Sequence, residues 1–194
     1  MPAPTFYYDF NSPYAYLAAS RIAELLPAAV WRPIAFAFVL QRTGRIPWSF
    51  ADDISADTAE IDRRAAERGL PPVRYPEGWP VESYSLAPLR VALHADERGC
   101  LAEFTHAAFA VMFAEGRALA DPTALRAAVT ASGLDAGEAE TAARRPDIKA
   151  RLRAYTDEAI ERGVEGVPTV AVDGRLFWGD DRLEEAAARA NRPT

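Results

Sequence analysis

The run Phe6-Tyr7-Tyr8-Asp9-Phe10-Asn11-Ser12-Pro13-Tyr14-Ala15-Tyr16-Leu17 sets an aromatic, strand-like segment directly against a helix start. No other stretch constrains the fold as tightly. Phe and Tyr favour a pleated, half-buried surface. Asn11 or Ser12 can accept hydrogen bonds from the first free helical N–H groups, and Pro13 fits the first helical turn because its missing donor is not needed there. The junction therefore presents a hydroxyl at the positive end of a helix dipole, where an anion or a thiolate is stabilised. Taken alone, Ser-Pro at this place only caps a helix.

The far end of the chain adds a second constraint. Between Gly163 and Gly179 the sequence reads as a helix stop, a Val167-Pro168-Thr169 corner, and two short strands joined at Asp173-Gly174, a strong hairpin signal. Strand, helix and strand at the start, with a proline-led hairpin and a helix at the end, is the division of a thioredoxin-like fold. The expected fold class is α/β, thioredoxin-like with an all-helical insertion.

Between these ends the pattern predicts a first strand over Thr5–Phe10, a helix from Ser12 to about Leu26, and a second strand over Val30–Phe38 with Pro33 marking an edge or bent start. Helices follow near Ala56–Arg68, Ser85–Arg98, Leu101–Glu115 and Pro122–Ser132, the last with Asp121 as cap and Pro122 as first residue. Asp135 and Glu138 make a capping box, and Ile148, Leu152, Tyr155 and Ala159 fall on one face of a longer helix. The expected division is a discontinuous thioredoxin-like domain, 1–41 and 163–194, with a helical insertion over 42–162.

A chain of 194 residues with 49% hydrophobic residues supports one sizeable core. Its formal charge of -6 argues against nucleic-acid binding, which needs clustered Lys and Arg. No stretch is apolar for long enough to span a membrane and no leader pattern is evident, so the expected location is cytoplasmic. Cys100 is the only cysteine. Dithiol exchange within the chain is thereby excluded, and where a redox thioredoxin sets its nucleophilic thiol at the helix start this sequence has Ser12, Pro13 and Tyr14. His94, Cys100 and His106 lack the ligand spacing of a metal site, so none is expected.

Three motifs, Asp9-Phe10-Asn11-Ser12-Pro13-Tyr14-Ala15-Tyr16, Gly166-Val167-Pro168-Thr169 and Phe177-Trp178-Gly179-Asp180-Asp181-Arg182-Leu183, make the chain resemble the 2-hydroxychromene-2-carboxylate isomerase and kappa-class glutathione transferase family, within the DsbA-like thioredoxin folds. The resemblance implies that Ser12 hydrogen-bonds the sulfur of glutathione and holds it as thiolate, with Pro13 and Tyr14 completing the turn. It implies a cis Val167-Pro168 bond that exposes Val167 for pairing with the cysteinyl backbone, and a role for Asp180 and Asp181 in holding the γ-glutamyl end. It further implies a homodimer and aromatic-compound catabolism.

The sequence departs from the family where relatives carry Gly-Asn followed by prolines and then a lysine. Here the segment is Gly44-Arg45-Ile46-Pro47-Trp48, and no lysine precedes Lys149. Arg45 would replace one cationic contact, and another low-molecular-weight thiol remains open. Tyr14, Trp48, Trp79 and Tyr84 would line a cavity for a flat aromatic substrate. The expected activity is glutathione-dependent isomerisation of the 2-hydroxychromene-2-carboxylate type. The alternatives are a kappa-type transferase and a noncatalytic thiol or peptide binder.

Overall fold

The computed structural model describes residues 2–192. Strand β1 (Thr5–Tyr8) is followed by helix α1 (Pro13–Leu25), strand β2 (Val30–Pro33) and helix α2 (Phe36–Thr43). Helices α3 (Ser55–Glu67), α4 (Leu86–Glu97), α5 (Leu101–Phe109), α6 (Pro122–Ala131), α7 (Ala136–Arg144) and α8 (Pro146–Glu161) follow. The chain closes with β3 (Thr169–Val172), β4 (Arg175–Trp178) and α9 (Leu183–Ala190).

The four strands run in the order β2-β1-β3-β4, with β1 parallel to β2 and antiparallel to β3, and β3 antiparallel to β4. The hairpin turns at Asp173 and Gly174, both at positive φ (48° and 75°), as the Asp-Gly pair anticipates. Successive side chains of β1 point to opposite faces of the sheet. Phe6 and Tyr8 accordingly enter the larger core with α1, α4 and α5, while Tyr7 enters a smaller one with Val39 of α2, Ala159 of α8 and Ala171 of β3. The Tyr8 hydroxyl reaches Thr105 Oγ1 of α5 at 2.8 Å, which fixes the helical region against the central strand.

Two expectations from the sequence are corrected. The second strand does not extend from Val30 to Phe38 but ends at Pro33, and Phe36 opens α2. The run Ile34-Ala35-Phe36-Ala37-Phe38-Val39-Leu40 is apolar throughout, and such a run fits either structure equally. What decides is tertiary: the Phe36 N–H, free at a helix start, is taken by the Asp9 carboxylate at 2.9 Å. Gly44, at φ 68°, then ends the helix in the left-handed conformation. The second correction concerns Leu101–Glu115, where the α-helix gives way to a wider π-type turn over Ala110–Ala114. The Phe113 carbonyl there accepts from Arg74 N–H at 2.7 Å, so the altered turn anchors the proline-rich segment above the core.

Helix α8 lies against β2, α2 and α4, so it covers one face of the sheet as well as meeting the helical region. Among the described residues no helix is long and apolar enough to cross a membrane.

Candidate active site

Ser12 is the N-cap of α1, with extended backbone (φ -101°, ψ 114°) and Pro13 in the first turn. Its Oγ accepts from the Ala15 N–H at 3.2 Å and donates to the Val167 carbonyl at 3.1 Å. One hydroxyl thus joins the N-terminal helix to the loop before β3, across most of the chain's length. The peptide bond between Val167 and Pro168 is cis. The Gly179 N–H donates to the Pro168 carbonyl at 3.0 Å, while Val167 N–H has no partner among the described residues.

Beneath this junction lies Asp9, buried at the end of β1. Its Oδ1 accepts from the Asn11 N–H at 2.9 Å, and its Oδ2 accepts from the Phe36 N–H at 2.9 Å and the Ser85 hydroxyl at 3.1 Å. One carboxyl therefore ties together the loop before α1, the start of α2 and the start of α4. Burial pushes its pKa up, against the opposing pull of these three hydrogen bonds.

The Asp180 carboxyl, 1% exposed, is held by Arg64 at 2.7 Å and Arg68 at 2.5 Å, both from α3. Asp181 is exposed, with one oxygen 3.9 Å from Arg64. Arg45 pairs with Glu165 at 2.6 Å and lies over the Trp178 ring at 4.7 Å. Trp178 in turn occupies the space above Gly166: a Cβ there would stand 2.2 Å from the indole. Glycine at 166 is what lets that ring lie against the loop carrying Val167.

These elements surround a cleft of about 720 Å³ that includes Ser12, Val167, Pro168 and Asp181 in its lining. Its aromatic wall is continuous, with Tyr14 and Trp48 ring centres 5.8 Å apart and Trp48 and Trp79 5.7 Å apart. Burial raises the Tyr14 phenol pKa, so the group stays a neutral donor at neutral pH. Of the seven large apolar residues exposed among the described residues, all but Val30 line this one cleft. An exposed apolar rim of this kind marks a binding surface. The wall also holds two buried polar atoms without partners, Asn11 Oδ1 and Ser83 Oγ. Buried polar atoms left unpaired in a cleft wall are suited to a polar ligand.

The model of the DSBA-like thioredoxin domain matches residues 5–190. The chain belongs to the DSBA-like thioredoxin domain family. Within it, the chain is 29% identical over 186 residues to a 2-hydroxychromene-2-carboxylate isomerase of Sphingobium xenophagum, covering 92% of this chain and 93% of that protein. The solved structure of a 2-hydroxychromene-2-carboxylate isomerase superposes with a TM-score of 0.82 at 24% identity, over 96% of this chain and 93% of that one. The DSBA-like fold is shared more distantly with the cytosolic disulfide reductase DsbM from Pseudomonas aeruginosa, solved with GSH, at a TM-score of 0.64 and 17% identity over 97% and 96% of the two chains.

In this DSBA-like chain the tertiary structure brings Ser12, Pro13, Tyr14, Arg45, Val167, Pro168, Asp180 and Asp181 to one cleft. It turns them to different tasks: the Asp180 carboxylate is committed to α3, Arg45 is paired with Glu165, and Asp181 is exposed, one oxygen 3.9 Å from Arg64. Tyr84 sits at the rim, 73% exposed, apart from the Tyr14–Trp48–Trp79 wall. The sequence reading missed Asp9, Asn11, Arg64 and Ser83 in the lining. Asp9 alone carried a signal, as a carboxylate inside an aromatic run, because a charge is buried only where partners await it. Among the described residues no group of three or more His, Cys, Asp or Glu is arranged to hold a metal.

Proposed function

We propose that this protein is an isomerase of the 2-hydroxychromene-2-carboxylate type that works with glutathione as its thiol in the cytoplasm. The observation that carries the proposal is the Ser12 hydroxyl at the start of α1, set against the Val167 carbonyl at 3.1 Å, in a chain whose only thiol stands elsewhere. Cys100 does not line the cleft, and burial pushes its thiol pKa up, away from reactivity.

The residues present fit a thiol tripeptide. Asp181 offers a carboxylate to an ammonium at the helical turn before α9, and Arg64 reaches a ligand carboxylate only by sharing the guanidinium that already holds Glu60 and Asp180. Val167 offers an unpaired N–H for short strand addition, and Asn11 Oδ1 offers an unused acceptor. Arg45 reaches a glycyl carboxylate only by exchanging it for Glu165. Glutathione supplies a thiolate whose reversible addition turns a double bond into a single bond free to rotate.

The chain's own part is positioning and electrostatics. Ser12 would donate a hydrogen bond to the sulfur at the positive end of α1 and favour its ionised form, acting as a stabiliser of the nucleophile. Tyr14, Trp48 and Trp79 stack a planar bicyclic substrate and shield it from water. Incubation with 2-hydroxychromene-2-carboxylate, with and without glutathione, tests the reading. Formation of trans-o-hydroxybenzylidenepyruvate only when the thiol is present is expected. Absence of isomer at saturating thiol overturns it, and a stable conjugate instead of an isomer replaces it with a transferase.

A further inference from the structure

A second cleft, of about 980 Å³, runs between α2, α4 and α8 and shares with the first only the start of α2 and Leu86. Its lining carries four cations, Arg42, Arg90, Lys149 and Arg153, and two acids, Asp157 and Glu161. A local excess of two positive charges stands out in a chain of formal charge -6.

Of the neighbouring arginines, Arg151 of α8 reaches Glu97 at 3.5 Å and Arg162, just after the helix, reaches Glu158 at 2.9 Å. Just before the helix, Arg145 reaches Glu97 at 2.9 Å. By contrast, Arg42, Arg90, Lys149 and Arg153 form no ion pair among the described residues, and Asp157 and Glu161 pair with none of them. Arg90, half-buried, also has a buried Nε without an acceptor. The arrangement is locally unfavourable. Lys149 and Arg153 are like charges one turn apart, which destabilises a helix, and Lys149 stands in the N-terminal part of α8, where the dipole repels cations. Asp157, one turn beyond Arg153, offsets part of this on α8, but among the described residues no carboxylate stands within ion-pair distance of any of the four cations, and a ligand can supply the missing charge. Between the cations the floor is apolar, formed by Leu86, Leu152 and Ile160.

We propose that this groove is a second binding site, for a small organic dicarboxylate whose two charges match the excess of the lining and whose apolar body rests on Leu86, Leu152 and Ile160. The site is independent of the isomerase reading, because it uses neither Ser12 nor the aromatic wall.

Isothermal titration with trans-cyclohexane-1,4-dicarboxylate tests it, with inorganic phosphate and the corresponding neutral diol as companions. Saturable binding of one dicarboxylate per chain is expected, weakened by rising salt and by about tenfold or more in Arg90→Gln and in Arg153→Gln, each change removing a charge-assisted contact. Lys149 and Arg153 are exposed, so Lys149→Gln and Arg153→Gln report even where Arg90→Gln disturbs folding. Trp48→Ala, in the other cleft, should leave this affinity unchanged. Four outcomes overturn the proposal: no binding, equal binding of the diol or of phosphate, affinity unaffected by the Lys149 and Arg153 changes, or loss of binding in Trp48→Ala alone.

Discussion

The Ser12 hydroxyl donates its one hydrogen bond to the Val167 carbonyl at 3.1 Å, so the cap of α1 and the loop before β3 are joined by the group proposed above to hold a sulfur anion. A thiolate bound there would compete with that carbonyl for the hydrogen bond, as the stronger, charged acceptor.

Ser12→Ala removes a cap worth about 1 kcal/mol of stability. If Ser12 stabilises the bound thiolate, turnover falls much further than that loss accounts for, and the pH dependence of turnover moves upward as the bound thiol becomes harder to ionise. Steady-state rates across pH, beside thermal unfolding, separate the two effects. Cys100→Ser serves as the control and should leave both rate and thiol dependence unchanged.

Asp9 satisfies three donors from three elements, and Asp9→Asn replaces one of its acceptor oxygens by an amide that faces a donor. A loss of about 1–3 kcal/mol follows from a buried donor left unpaired. The pH dependence has a definite sign. Because burial raises the folded-state pKa of Asp9 above its unfolded value, the native state holds the proton more tightly. The resulting stabilisation is full below the unfolded pKa, about 3.9 for Asp, and is lost as pH rises through the folded value. The stability gap between the wild type and Asp9→Asn should therefore narrow over that range in urea titrations. A gap that widens removes burial as the dominant influence on Asp9.

The Asp180 carboxylate is buried with both of its cationic partners on α3. Replacing Arg64 and Arg68 together by Met strands that charge, at a cost of about 3–5 kcal/mol. Adding Asp180→Asn should return part of it, since the stranded charge is what costs. Chemical denaturation of the wild type, the double variant and the triple variant checks the order.

Gly166→Ala places a methyl group within 2.2 Å of the Trp178 indole, so the ring must move. Overpacking of this kind costs about 1–3 kcal/mol, here toward the low end because Trp178 is half-exposed and can swing outward. In a Trp178→Ala background the same change should be nearly neutral. The double-mutant cycle thus measures a coupling confined to this pair.

Much of the fold and part of the site are legible along the chain. Ser12-Pro13 after an aromatic strand, Asp121-Pro122, and Asp173-Gly174 are local devices whose backbone chemistry needs no distant partner, and each forms the cap or turn that its residues demand. Gly44 likewise stops a helix, but the sequence assigns the first residues of that helix, Phe36–Phe38, to the end of a strand, because an unbroken apolar run has no period. That choice belongs to Asp9, 27 residues away, whose carboxylate takes the Phe36 N–H. The same distinction governs the site. Sequence alone specifies which side chains can hold a thiolate or a charge; folding determines which of them are already occupied. Asp180 and Asp181 are adjacent and chemically identical, yet one is buried against two arginines and the other faces solvent. The physical reason is that local propensity acts through neighbouring backbone atoms, whereas burial and ion pairing depend on elements that meet only when Arg64 and Arg68 of α3 reach the turn before α9.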